Sequence, residues 1–142
     1  MKIEKYENYK DLIPLYISRG LEVHGDFFNE PVFSLVMKNN DEIIGASTCT
    51  KMEDNYIIEA IVVLEKETQK GYGKHLLNVV LNEIKTLNGT NIYLVAKDPV
   101  FFEKNGFVVI DKTDAPDFSD CFMCPDYNVS CFPKILKYIG EN

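Results

Sequence analysis

Residues 56 to 96 constrain the fold more than any other stretch of the chain. They open with Tyr-Ile-Ile-Glu-Ala-Ile-Val-Val-Leu (56–64), an apolar run that suits a buried strand. From Gly73 the period changes. Leu76, Leu77, Val80, Leu81, Ile84 and Leu87 recur at three- and four-residue steps and form one stripe, while Lys74, His75, Asn78, Glu83 and Lys85 lie off it. Asn-Ile-Tyr-Leu-Val-Ala (91–96) returns to strand character. Strand, helix (73–87) and strand in succession predict a parallel crossover whose helix lies on the sheet.

The remaining elements arrange themselves around this unit. Met1 to Lys5 reads as a short strand, and a helix is expected from Asn8, as N-cap, to Gly20 or Glu22. Its stripe is Tyr9, Leu12, Ile13, Tyr16, Ile17 and Leu21. Residues 23–31 mix glycine, proline, acids and two adjacent phenylalanines, a loop suited to lining a substrate pocket. The runs 32–38 and 42–51 flank Asn39-Asn40-Asp41 and predict a hairpin, and a second turn at 52–55 leads into 56–64. After residue 96 come a short helix near 99–105, a strand at 107–111, a loop, and a last strand near 131–139. The fold class is α/β, with a mixed central sheet of about six to seven strands, antiparallel on its N-terminal side with the parallel crossover in its middle.

A length of 142 residues with 46 % hydrophobic content supplies one continuous core, so residues 1–142 are expected to form a single domain that includes the tail 112–142. No run of 18 apolar residues occurs and Met-Lys-Ile-Glu-Lys is unlike a secretion signal, which predicts a cytoplasmic protein with no membrane partner. The formal net charge is −7 and Arg19 is the only arginine, so a nucleic-acid surface is not expected. A local site for a small anion depends on nearby amides and lysines more than on total charge.

Such a site is written into Thr68-Gln69-Lys70-Gly71-Tyr72-Gly73-Lys74, the turn between strand and helix. A helix N-terminus carries unpaired amides and the positive end of the dipole, and glycines let another group come close to the backbone. Together these features bind phosphates. The nucleoside-triphosphate loop is excluded because no glycine stands five residues before Gly73 and His75 replaces the hydroxyl residue. The dinucleotide fingerprint is excluded because Leu76 occupies its third glycine.

The strand ending in Val62-Val63, the loop 68–73, the amphipathic helix and Phe-Phe-Glu-Lys-Asn-Gly-Phe (101–107) resemble, in order and distance, the GNAT superfamily of acyl-CoA-dependent N-acyltransferases. The resemblance implies a GNAT-like fold and acetyl-CoA as cosubstrate, with the amides of Thr68, Gln69, Lys70, Gly71, Tyr72, Gly73 and Lys74 holding its pyrophosphate. It also implies that strands 56–64 and 91–96 splay to admit the pantetheine arm beside Ile61, Val62, Val63 and Phe102. A backbone amide near Val63 would then polarise the thioester carbonyl. The implied activity is N-acetyl transfer to a primary amine, by direct attack in a ternary complex, with no metal required. Net negative charge favours a cationic acceptor, either a small molecule or a protein amine, and an oligomer is compatible with the sequence.

Glu59 interrupts an apolar strand, and burying an unpaired carboxylate costs several kcal/mol. Strict alternation would put Glu59, Ile61 and Val63 on one face, the carboxylate about 13 Å from Val63. Deprotonating an ammonium needs such a base, and a glutamate on this strand serves so in some GNAT enzymes. The plainer reading is a surface glutamate paired with Lys51. The family's proton donor to the leaving thiolate is a tyrosine at the position of Phe102, which has no proton to give. That leaves Tyr127, Tyr138 or solvent. Thr68 stands where the family often carries arginine or glutamine.

Cys121, Cys124 and Cys131 are spaced C-x2-C-x6-C. A structural zinc site takes four ligands, so Cys49, Asp120 or Asp126 would have to complete it. Reduced thiols packing the tail are the default expectation. His24 is an alternative base in the substrate loop, and His75 is expected to be exposed. Against the transferase stands a non-catalytic acyl-CoA-binding or sensing domain of the same fold, which Phe102 favours.

Overall fold

A computed structural model describes residues 1–21, 23, 26–27, 29–64, 71–116 and 133–140. Among these residues seven strands form one sheet: β1 (Lys2–Lys5), β2 (Glu30–Asn39), β3 (Glu42–Met52), β4 (Asn55–Val63), β5 (Asn91–Ala96), β6 (Phe107–Ile110) and β7 (Lys134–Tyr138). Their spatial order is β1-β2-β3-β4-β5-β7-β6. The β1 to β4 neighbours are antiparallel, and β4 and β5 are the parallel pair expected of the crossover. The last strand was expected near 131–139, but its insertion between β5 and β6 has no signature in local periodicity.

Helix α2 (Tyr72–Thr86) buries Leu76, Leu77, Val80, Leu81 and Ile84 on one face of the sheet, against Leu35, Met37, Ile58 and Val63. Each such side chain contributes roughly 1.5–3 kcal/mol when removed from water, which is why the stripe dictates how the helix lies. The short helix α3 (Val100–Glu103) precedes β6.

The opposite face carries α1 (Ile13–Ser18), with Leu12 and Tyr16 packed on Val36, Ala46, Ala60 and Val62. Here the structure corrects the sequence reading. Instead of one helix from Asn8 to Gly20 or Glu22, a 3-10 turn (Tyr9–Leu12) precedes α1, and Asn8 makes no side-chain cap. Pro14 is the cause: it has no N–H to donate and its ring clashes with the fourth preceding carbonyl, so it is tolerated only in the first turn, where α1 places it. The helix ends soon after, with Gly20 at φ 90, and Ile17 in its last turn stays 51 % exposed instead of joining the core. No helix among the described residues is long and apolar enough to cross a membrane.

Candidate functional site

The site begins with a defect in the pairing of β3 and β4. Thr48 pairs with Ala60 and Cys49 with Ile58, so Glu59 is the extra residue of a β-bulge. Such a bulge bends its strand and breaks the alternation of faces. Tyr56 and Ile58 before it, and Val63 after it, belong to the α2 face, with Ile61 packed against them; Ala60 and Val62 belong to the α1 face. Glu59 joins the second group, because its Oε1 accepts from Thr50 Oγ1 (2.9 Å), and Thr50 lies two residues along β3 from Thr48, the partner of Ala60. The expected common face of Glu59, Ile61 and Val63 is thus overturned.

The carboxylate is held, not stranded. Asn29 Nδ2 donates to the same Oε1 at 2.8 Å, and Asn29 and Thr50 are both buried. Lys51, the partner considered for Glu59, has its Nζ over the Tyr56 ring, 5.2 Å from the centroid. A second polar chain runs beside this one: Tyr16 Oη and Ser34 Oγ both bond Thr48 Oγ1, at 2.7 and 2.8 Å. Burial raises the Tyr16 phenol above its ordinary range.

The parallel pairing stops just before the bulge. β4 and β5 match only from Asn55↔Asn91 to Ile57↔Tyr93, although β4 continues to Val63 and β5 to Ala96. Over its last residues β5 pairs with β7 on its other edge. A gap therefore opens between β4 and β5, as the splayed pair predicts. Leu64 N–H donates to Ile44 on β3 (2.8 Å), and strand residues alternate the direction of their amides, so Val63 and Ile61 turn theirs towards the gap.

A cavity of about 300 Å³ lies beside these last residues of β4, lined by Ile61, Val62, Val63, Gly73, Phe101 and Phe102. Arg19 and Leu21, from the segment after α1, line it as well. Sequence reasoning missed these two. The sole arginine directly before a helix-ending glycine was the available signal.

The first turn of α2 stands at the same cavity. Gly71 is its N-cap with φ 76, a left-handed conformation that disfavours any side chain. His75 N–H makes the first intrahelical bond, to the Gly71 carbonyl, so the amides of Tyr72, Gly73 and Lys74 have no acceptor within the helix. Lys74 and His75 are exposed, and Tyr72 packs against the core. Thr68, Gln69 and Lys70 lie outside the described residues, as do Tyr127, His24 and the three tail cysteines.

Phe102 stacks edge-on with Phe101 and Phe107, at centroid distances of 5.2 and 5.9 Å. Tyr138, one substitute donor, instead packs on Phe107 at 5.1 Å and lines a groove with Asn78, Asn82 and Lys85. Cys49 is fully buried in the α2-face core, and burial, reinforced by the charge of Glu59, pushes its thiol up to about 12. Among the described residues no group of three His, Cys, Asp or Glu is arranged to hold a metal ion.

Residues 4–107 match the family model described as Acetyltransferase (GNAT) family. No curated protein sequence matches the chain. Its structure is similar to that of a GNAT-family acetyltransferase from Staphylococcus aureus Mu50, 19 % identical, with a TM-score of 0.72 over 96 % of this chain and 97 % of that one. It is similar to a GNAT family acetyltransferase from Elizabethkingia anophelis with acetyl-CoA bound, 19 % identical, TM-score 0.64, over 99 % and 97 % of the two chains. A third similar structure is Arabidopsis thaliana Naa50 in complex with the bisubstrate analogue CoA-Ac-MVNAL, 19 % identical, TM-score 0.66, over 96 % of each chain. At these identities the structural likenesses speak for the fold.

Proposed function

The chain belongs to the GNAT acetyltransferase family, and from that premise we propose that it transfers an acetyl group from acetyl-CoA to a primary amine by direct attack in a ternary complex. The observation that carries this reading is the gap between β4 and β5, which brings the amides of Ile61 and Val63, the cavity of Gly73 and Phe102, and the first turn of α2 to one place. Acetyl-CoA supplies an activated acetyl thioester. The amides of Tyr72, Gly73 and Lys74, which have no acceptor within the helix, fit a diphosphate at its positive end. The gap fits a narrow pantetheine chain, and the Val63 N–H fits a carbonyl oxygen that gains negative charge as the amine adds.

Glu59 serves as base. From the α1 face it takes the proton that an ammonium must lose before its lone pair can attack, through an intervening water, while Thr50 and Asn29 hold the carboxylate in place. As the new C–N bond forms and the C–S bond breaks, the sulfur leaves as thiolate and the nitrogen gives up its second proton to water, which leaves a neutral amide. Phe102 offers it no proton, so solvent or Tyr127 supplies one. The acceptor is an amine that can approach from the α1 face.

Release of CoA thiol from acetyl-CoA over a panel of monoamines, diamines and peptides tests the proposal. Turnover with at least one amine is the expected result. CoA binding without turnover across the panel would favour the second reading, an acyl-CoA-binding domain, to which Phe102 lends its only specific support.

A further inference from the structure

A second cavity, of about 560 Å³, lies on the Glu59 side of the sheet and shares no lining residue with the first. Tyr6, Tyr9 and Phe27 supply aromatic surface, and Asp26 and Glu30 supply negative charge. Asn29 lines the same cavity and donates to Glu59, so one side chain separates it from the proposed base.

Asp26 is held in place. The Tyr9 hydroxyl donates to both of its carboxylate oxygens, at 2.8 and 3.0 Å, and the Phe27 N–H donates to Oδ1 at 2.8 Å. These bonds, that of Tyr9 foremost, keep the Asp26 carboxyl below its ordinary range, so it is ionised at neutral pH. The Tyr9 and Phe27 rings are 5.8 Å apart, with Tyr16 6.1 Å beyond Phe27. An oriented carboxylate beside aromatic faces suits an organic cation, which gains from both the charge and the ring quadrupoles. Among the described residues Lys10 is a competing cation, with its Nζ 4.0 Å from Asp26 Oδ2, and Lys5, which also lines the cavity, is paired with Glu83.

We propose that this cavity is a subsite for a second positive charge on the acceptor, so that the preferred substrates are aliphatic diamines or polyamines, one amine reaching Glu59 while the other rests on Asp26, Tyr9 and Phe27. The proposal rests on the transferase reading for which amine reacts, but not for the binding of the second cation.

The test therefore measures binding apart from turnover. Calorimetry on the full chain compares 1,4-diaminobutane with 1-aminobutane, in the wild type and in Asp26→Asn and Lys10→Ala. The dication should bind the wild type on the order of tenfold more tightly than the monocation. Asp26→Asn should abolish that preference, and Lys10→Ala, which removes the competing cation, should strengthen it. Equal affinities for the two amines in the wild type, or a preference that survives Asp26→Asn, overturns the subsite. If the preference behaves as described while no amine is acetylated, the subsite stands and the transferase reading falls. Tyr9→Phe keeps the ring but frees the carboxylate, and should lose part of the preference with the melting temperature near that of the wild type; an undiminished preference counts against the geometry.

Discussion

Replacing Gly71 by alanine separates the proposed diphosphate cradle from the stability of the fold. At φ 76 an L-residue is disfavoured by about 1–2 kcal/mol, partly offset because alanine lowers the entropy of the unfolded chain. A Cβ built there meets no described residue within 4 Å, so none of them adds a steric clash. The net loss is about 1 kcal/mol. For 142 residues the average unfolding entropy is roughly 0.3 kcal/mol/K, so the melting temperature should fall by about 3 °C. Binding should suffer more. To relieve the strain the Gly71–Tyr72 peptide must rotate, turning donors away from the anion, and each charge-assisted bond lost is worth about 1.5–3 kcal/mol, or at least about tenfold in affinity. Calorimetric titration with CoA, beside thermal melting of the same sample, reads both quantities. Gly140→Ala is the control, since Gly140 is also left-handed, at φ 93, and equally open, and it lies against the groove of Tyr138 instead. A Gly71→Ala protein that melts lower but binds CoA as the wild type does would refute the cradle.

Glu59→Gln keeps an oxygen that can accept from Thr50 and Asn29, so the fold should hold while turnover drops by roughly 10²–10⁴; turnover that persists with an unaltered pH profile would make Glu59 a structural residue. Cys49 predicts an alkaline weakness: the folded protein keeps the thiol proton up to about pH 12 where an unfolded thiol releases it near 9, so its contribution is complete below pH 9 and is lost as pH rises through that window. Urea denaturation followed across it should fall less steeply for Cys49→Ala, and a slope equal to the wild type's would dismiss this account.

Much of the architecture was legible because it is local. The stripe on α2, the β-prone runs on either side of Asn40 and Asp41, and the Gly71-Tyr72-Gly73 turn each act through neighbours in the chain, and the structure keeps all three. Ile61, Val62 and Val63, with Gly73 and Phe102 farther along the chain, share one cavity. The first helix is shorter than its apolar stripe suggests because of Pro14, whose effect is also local. The second cavity was visible only as an aromatic and acidic loop at 23–31. That loop did not reveal that Tyr9 would meet Asp26, seventeen residues away.

By itself the sequence determined the strand-helix-strand unit, its bare helix start and the family to which these belong, since periodicity and glycine act within a few residues of themselves. Tertiary structure alone decided the side of the sheet on which Glu59 stands, where β4 and β5 part, and that β7 enters between β5 and β6. A bulge, a gap and a strand order belong to pairs of strands, and the pairing is set by packing across the whole sheet, which no single strand encodes.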